Sequence, residues 1–213
     1  MKTTIICIET ICGKISPAGF GSQKDRQFLE RARAETDATL LGAGSLREGN
    51  PEFRIDGALP KNRLRAVITG SGNIPLNRAI FKHGPKPLVF VPWDVCSMLQ
   101  RKLGNRAEVI GINEISEGIL SLQDVMNHLK KCGARSCLIE GGGRLNYQAL
   151  KQNIADELLV TIAPKIIGCT DEHDLISGHS ALGQPFIDLE LLSCKPDLAT
   201  GEVFLHYRTA KRR

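Results

Sequence analysis

The residues Glu140-Gly141-Gly142-Gly143-Arg144-Leu145 combine a carboxylate, three consecutive glycines and the start of an amphipathic run. Glycine lets a backbone approach a ligand closely, and the first N–H groups of a helix have no intrahelical partner. A strand that ends in such a run and passes into a helix can therefore hold an anion. The chemistry this points to is a nucleotide phosphate or pyrophosphate on the glycines. Glu140 would stand at the carboxyl end of a strand, where α/β proteins hold small substrates. The run fits neither G-x-G-x-x-G nor G-x-x-x-x-G-K, so a plain glycine-rich turn is the alternative. Two more apolar runs end in glycines, at Gly42-Ala43-Gly44-Ser45 and at Gly70-Ser71-Gly72.

Those residues need elements to place them. Cys137 to Glu140 reads as a short strand, and Arg144 to Lys151 as a helix with Leu145, Ala149 and Leu150 inward. Further strands are expected at Thr3–Thr10, Ala38–Leu41, Arg65–Thr69, Leu88–Val91, Glu108–Ile112 and Glu157–Ala163, all rich in apolar or β-branched residues. Ser22 with Asp25, and Ser121 with Asp124, have capping-box spacing. The first opens a helix from Gln23 to about Glu35 with Phe28, Leu29 and Ala32 on one face. The second opens a helix with Leu122, Val125, Met126 and Leu129 inward, Lys130 and Lys131 in its last turn and Gly133 as its stop. Asp94 is expected to cap a helix carrying Val95, Met98 and Leu99 and stopped by Gly104. Ser16–Gly21, Gly49–Pro60 and Gly168–Gly183 read as loops. Phe186–Cys194 and Glu202–Tyr207 read as strands with only Pro196–Gly201 between them, so they should pair antiparallel.

Strands alternating with helices imply an α/β fold: a mostly parallel central sheet flanked by helices, with an antiparallel C-terminal hairpin. In a parallel sheet the three glycine-bearing strand ends share one edge, and a dinucleotide could span them. The 213 residues suit one domain, 1–213, and 42% hydrophobic residues suffice for a core. No apolar run approaches a membrane span. Lys211, Arg212 and Arg213 supply three of the five net positive charges, and aromatics are only 5%, which argues against a nucleic-acid surface. Seven cysteines (Cys7, Cys12, Cys96, Cys132, Cys137, Cys169 and Cys194) form no C-x-x-C, so reduced thiols in the cytoplasm and no metal cluster are expected. His173 and His179, among Asp171, Glu172 and Asp174, read as a solvated acidic loop. Trp93 and Phe28 read as core.

Four segments, in order, resemble the pyrimidine reductase family of riboflavin biosynthesis, which has a dihydrofolate-reductase-like fold. Thr10-Ile11-Cys12-Gly13-Lys14-Ile15 is similar to the family's Ser-x-Asp-Gly-Lys/Arg. Arg33-Ala34-Glu35-Thr36-Asp37-Ala38 through Gly42-Ala43-Gly44-Ser45 is similar to Arg-Ala-x-x-Asp-Ala…Gly-x-Gly-Thr. Glu140-Gly141-Gly142-Gly143-Arg144-Leu145 is similar to Glu-Gly-Gly-x-x-Leu. Asp156-Glu157-Leu158 through Ile162-Ala163-Pro164, with Gly168, is similar to Asp-Glu-Leu…Ala-Pro…Gly. The resemblance implies an NADPH-dependent reductase that turns a phosphoribosylamino pyrimidine into the ribitylamino 5′-phosphate, of the 5-amino-6-(5-phosphoribosylamino)uracil reductase type, and a homodimer. It implies that Ser45, Thr69, Gly70, Ser71, Gly141, Gly142, Gly143, Arg144 and Leu145 hold NADPH. Arg33, Arg54, Glu140 and Cys12 fall on the substrate side, with Arg33 offering two parallel donors to a phosphate.

Glu140 is the first ionisable candidate beside the reacting carbon and Lys14 the second. Cys12 stands where the family has Asp, and a thiol cannot accept charge-assisted hydrogen bonds as a carboxylate does. From its sequence setting alone Cys12 reads as a buried, inert thiol, since no histidine is near it. Gly49-Asn50-Pro51 replaces an acidic pair before proline, and the Ser16–Gly21 loop is shorter than usual. These departures keep two alternatives open: a same-fold reductase of dihydrofolate or a pterin, and a non-catalytic nucleotide-binding protein. No H-x-E with P-C-x-x-C occurs, so no zinc deaminase is expected.

Overall fold

A computed structural model describes residues 1–15, 20–168, 173–183 and 186–210. Cys169, Asp171, Glu172, Pro17, Gly19 and the basic tail 211–213 therefore lie outside the described residues. The chain runs β1 (Lys2–Thr10), β2 (Lys14–Ile15), α1 (Gln23–Ala34), β3 (Ala38–Gly42), α2 (Ala43–Glu48), β4 (Leu64–Ile68), β5 (Leu88–Pro92), α3 (Trp93–Leu103) and β6 (Glu108–Ile112). It continues β7 (Glu114–Ser116), β8 (Ile119–Leu120), α4 (Leu122–Lys131), β9 (Ser136–Ile139), α5 (Gly143–Lys151), β10 (Glu157–Ala163), β11 (His173–Asp174), β12 (Leu189–Pro196) and β13 (Val203–Thr209).

One sheet has the order β12-β13-β10-β1-β9-β3-β4-β5-β6. From β10 to β6 every neighbouring pair is parallel, while β13 pairs antiparallel with β10 and β12. The expected fold is borne out, hairpin included. All the parallel strands point one way, so Thr10, Ala163, Ile139, Gly42, Ile68, Pro92 and Ile112 end along one edge.

Period-two alternation sends Leu40, Ala66, Phe90 and Ile139 to one face, where α4 and α5 cover them with Val125, Met126, Leu129, Leu145 and Ala149. The alternate residues Leu41, Val67, Val89 and Val91 face the other way, onto Leu46, Leu99 and Leu103. Phe28 and Leu29 of α1 pack on Ile6 and Leu138, and Phe28 meets Phe204 edge-on at 5.1 Å. With both faces covered, the central strands β3, β4 and β5 read as near-continuous apolar runs, broken by the buried Thr39 and Arg65.

Several local expectations shift. Ser22 caps α1 by accepting from the Lys24 and Asp25 amides, but its own N–H donates to Glu202 rather than back to Asp25. The side chain of Asp124 likewise turns away from the Ser121 cap to accept from Asn113. The N-cap of α3 is Pro92, not Asp94, which lies in the first turn. Trp93 is not core: it is 65% exposed, because as the first residue of α3 it leaves the sheet at the carboxyl edge instead of entering it. The short helix α2 and the β7–β8 hairpin carry too few residues for a readable period.

Candidate active site

Glu140 follows β9, and its N–H donates to the Leu40 carbonyl at 3.0 Å, which extends the β9–β3 pairing one residue past the strand. The next link repeats the stitch: the Gly42 N–H donates to the Gly141 carbonyl at 2.8 Å. The glycine run is thereby sewn onto the end of β3, with the Ser45 hydroxyl 3.1 Å from where a Cβ on Gly142 would sit. Gly141 has φ +78, a left-handed conformation that favours glycine.

The Glu140 side chain meets Arg33, from the last turn of α1, in a two-pronged pair. Nε donates to Oε1 and Nη2 to Oε2, both at 2.7 Å, and the side chains are 4% and 8% exposed. The remaining Arg33 prong donates to the Arg54 carbonyl, and the guanidinium lies over the Phe53 ring at 5.6 Å. Arg33 therefore does not lie open to a phosphate. Its fork is spent on Glu140.

Behind this pair sits Arg63, which sequence reasoning missed. It is buried, and donates to the hydroxyls of Thr36 and Thr39 and to the carbonyls of Arg33, Thr36 and Ala38. Burial pulls its guanidinium down to about 10, with Glu140 opposing that shift. Thr39 closes the circuit with a long 3.4 Å contact to Glu140 Oε1. No motif announces Arg63; a charged residue at the entry of an apolar strand was the available signal.

The segment 173–180 crosses the start of α5. β11 pairs with β2, Ser177 N–H donates to the Gly143 carbonyl, and the buried Asn146 amide donates to the Leu175 carbonyl at 3.0 Å. A Cβ at Gly143 would stand 2.2 Å from the Asp174 carbonyl oxygen, so only glycine admits this crossing. The Asn146 Oδ1 is a buried acceptor without a partner among the described residues, 3.8 Å from the Cβ position of Gly141. Lys14 pairs with Asp174 at 2.7 Å, and His173 with Glu48 at 2.7 Å. Among the described residues no His/Cys/Asp/Glu group could hold a metal ion.

Cys12 departs furthest from expectation. It is exposed, and its thiol is lowered to about 7 by a hydrogen bond from the Thr10 hydroxyl and by the backbone N–H groups of Gly168 and Ile167. Donors, not a histidine, favour the thiolate. Arg54 stays outside the buried pair, with Nε and Nη2 on Glu52 and Nη1 on the Gly57 carbonyl. Thr69, Gly70 and Ser71 turn at the end of β4, where the Thr69 hydroxyl accepts from the Gly72 N–H. Arg144 points outward on α5, while Leu145 is buried in the core.

A carboxylate braced by a buried arginine, beside a glycine run that opens a helix at the carboxyl edge of this sheet, defines an α/β domain of the dihydrofolate-reductase-like class. The family model described as RibD C-terminal domain matches residues 7–199, and the chain belongs to that family. The chain is 28% identical to the 2,5-diamino-6-ribosylamino-4(3H)-pyrimidinone 5′-phosphate reductase of Archaeoglobus fulgidus, over 75% of this chain and 76% of that one. It is 26% identical to the protein of the same name from Methanothermobacter thermautotrophicus, over 95% and 94%. A pyrimidine reductase-like protein of Corynebacterium diphtheriae superposes with a TM-score of 0.78 at 22% identity, covering 99% of this chain and 92% of that one. Dihydrofolate reductase of Enterococcus faecalis superposes at 0.54 and 12% identity, covering 98% and 96%.

Proposed function

We propose that this chain is an NADPH-dependent reductase that converts a phosphoribosylamino pyrimidine to its ribitylamino 5′-phosphate. The observation that carries the reading is the buried Arg33–Glu140 pair at the strand end that opens into Gly141–Gly143, within a chain of this family. The residues fit a dinucleotide. The first-turn amides of α5 and the Ser45 hydroxyl suit its phosphates, and the orphan Asn146 Oδ1 suits a ribose hydroxyl. Thr69, Gly70, Ser71, Arg144 and Leu145 complete the set carried over from the resemblance, Leu145 through its backbone.

When bound, the dinucleotide supplies the hydride. The chain's own work is alignment. Arg33 fixes the Glu140 carboxylate in one orientation, so that its outer edge can accept a hydrogen bond from the substrate and hold it against the cofactor face. Lys14 and Cys12 border the same edge from the β1–β2 turn. Lys14, paired with Asp174, is the second ionisable candidate for the proton, and Cys12 is a polar contact in place of a carboxylate. Arg54 is the substrate-side guanidinium carried over from the resemblance, and it would exchange its bonds to Glu52 and the Gly57 carbonyl for the substrate's phosphate. A second copy of this chain is the proposed partner, and light scattering after size exclusion should give twice the chain mass.

The test is loss of NADPH absorbance with the aminated pyrimidine, the deaminated pyrimidine and dihydrofolate supplied separately. Turnover of one pyrimidine and none of dihydrofolate is expected. Turnover of dihydrofolate alone would move the substrate to the pterins, and tight NADPH binding with no turnover would leave a nucleotide-binding protein. Among the described residues, no helix is long and apolar enough to cross a membrane.

A further inference from the structure

The buried guanidinium of Arg63 is spent wholly inside the protein. Thr39 pairs with Leu138 of β9 and with Arg65 of β4. Residues two apart along a strand share a face, so Arg63, Thr39 and Glu140 lie on the face where Leu138 packs under α1. Arg63 Nε donates to Thr39 Oγ1 at 2.9 Å. Its Nη2 donates to Thr39 Oγ1 at 2.6 Å, to Thr36 Oγ1 at 2.9 Å and to the Ala38 carbonyl at 3.1 Å. Its Nη1 donates to the Arg33 and Thr36 carbonyls. Every N–H of the fork meets an acceptor, so Arg63 keeps no donor for a ligand and can act only through the residues it holds.

What it holds is the setting of Glu140. The Thr39 hydroxyl accepts twice from Arg63, which commits its lone pairs and leaves its single proton to donate. Glu140 Oε1 is the acceptor that proton meets, at 3.4 Å. The contact is long for an O–H···O bond, so it matters for the site it occupies more than for its strength. Oε1 also accepts from Arg33 Nε, and Oε2 accepts from Arg33 Nη2. An ionised carboxylate has about four acceptor sites. Among the described residues two donors fall on Oε1 and one on Oε2, so the open site is on Oε2. Arg63 also holds Arg33 from behind. The carbonyls at the end of α1 lack intrahelical partners, and the Arg33 carbonyl is one that Arg63 takes up. The guanidiniums of Arg33 and Arg63 repel each other, and the Glu140 charge offsets that repulsion. A helix cap would need only the carbonyls; the two donors on Thr39 lead on to Glu140.

We propose that Arg63 is a positioning residue of the reaction, acting through Thr39 and the Arg33 backbone so that Glu140 Oε2 alone offers an open acceptor to a hydroxyl or N–H of the substrate. The inference rests on the reading of Glu140 as the carboxylate that holds the substrate. Filling Oε1 from behind leaves one edge of the carboxylate for the substrate, and so one orientation for the carbon presented to the cofactor.

The test uses the full chain and the pyrimidine that wild type turns over. Thr39→Val keeps the shape and removes the relayed proton, Thr39→Ser restores a hydroxyl, and Arg63→Lys keeps a cation without the fork. Steady-state kinetics are measured well below each melting temperature, with NADPH affinity by calorimetry alongside. Thr39→Val and Arg63→Lys should each lower kcat about tenfold, the size of one hydrogen bond to a charged group, with NADPH affinity unchanged and Thr39→Ser near wild type. Both substitutions are repeated in Glu140→Gln and read by single turnover. There the additional loss should vanish, because no carboxylate remains to be aimed. A loss that persists in full in Glu140→Gln, or that falls equally on NADPH affinity, would reduce Arg63 to a helix cap and overturn the proposal. Variants that turn over like wild type would overturn it too and leave the reading of Glu140 standing. Wild type that turns over no pyrimidine would remove that reading and the proposal with it. Should Arg63→Lys fail to fold, Thr39→Val and its double with Glu140→Gln decide the outcome.

Discussion

Arg33 and Glu140 show how a residue's role is decided by what surrounds it. As a sequence, Arg33 offers two donors to any anion; folded, both donors meet a carboxylate that is itself almost wholly buried. Removing one partner of a buried pair leaves an uncompensated charge, at a cost of about 3–5 kcal/mol. Arg33→Ala should therefore lower stability in chemical denaturation by about that amount as well as abolish turnover. A variant that melts like wild type and only raises KM would return Arg33 to the substrate. Arg33→Lys should recover little, since an ammonium cannot make the parallel fork. Cys12 gives a second residue-scale prediction. With its thiol lowered to about 7, alkylation read site by site by mass spectrometry should reach half its maximal rate near pH 7 at Cys12. Cys137, buried and raised to about 12, should stay unlabelled across the same range. Bound pyrimidine should protect Cys12. Labelling of Cys12 that begins only above pH 8 would remove the thiolate from the site.

At the scale of elements, the decisive arrangement is the 173–180 segment lying over the first turn of α5. Its visible ion pair, Lys14–Asp174, has an exposed partner and is worth little in water. The Asn146 amide and the Gly143–Ser177 backbone bond are better protected and do more of the holding. Asn146→Leu should speed hydrogen exchange at Ser177 well above the exchange at the centre of α5, and weaken NADPH. Unchanged exchange at Ser177 would mean the segment is held elsewhere. Gly142→Val should cost cofactor affinity more than stability, because its branches would crowd Ser45 and cover the amides, and calorimetry with NADPH would show it. The glycine run was legible because three glycines in a row between an apolar run and a helical period have few other uses. The segment over it was not, because the sequence 168–183 carries no period, and the position of residues 173–180 depends on long-range partners at Gly13, Gly143 and Asn146. Trp93 was misread for a related reason: apolar character says what a side chain prefers, whereas its place at the start of α3 puts it beyond the last covered turn.

At the scale of the whole molecule, the strands and the hairpin could be read from local pattern, but the sheet order could not. Nothing in β1 announces that it lies between β10 and β9, because parallel pairing is chosen by crossovers and packing. The ends of the chain are tied by an equally unreadable contact. Ser22, at the start of α1, donates its N–H and hydroxyl to Glu202, just before β13. Asp25 sits one turn into α1 beside this contact. Burial raises its carboxyl above the ordinary value; the Thr161 hydroxyl opposes the rise and the Glu202 charge adds to it. The folded state thus holds the Asp25 proton more tightly than the unfolded chain does. Stability from this group is fully present below the unfolded aspartate value and is lost as pH rises through the folded one. At neutral pH the ionised Asp25 is a burden on the junction between first helix and last strand. Asp25→Asn keeps the shape and removes the charge, so it should raise the melting temperature at pH 7 by a few degrees, the equivalent of about 1 kcal/mol in a chain this size. The gain should shrink as pH falls through the raised value of the folded carboxyl, where wild type takes up the proton itself. A melting temperature that drops at pH 7 would mean that the carboxylate's favourable place in the first turn of α1 outweighs its burial.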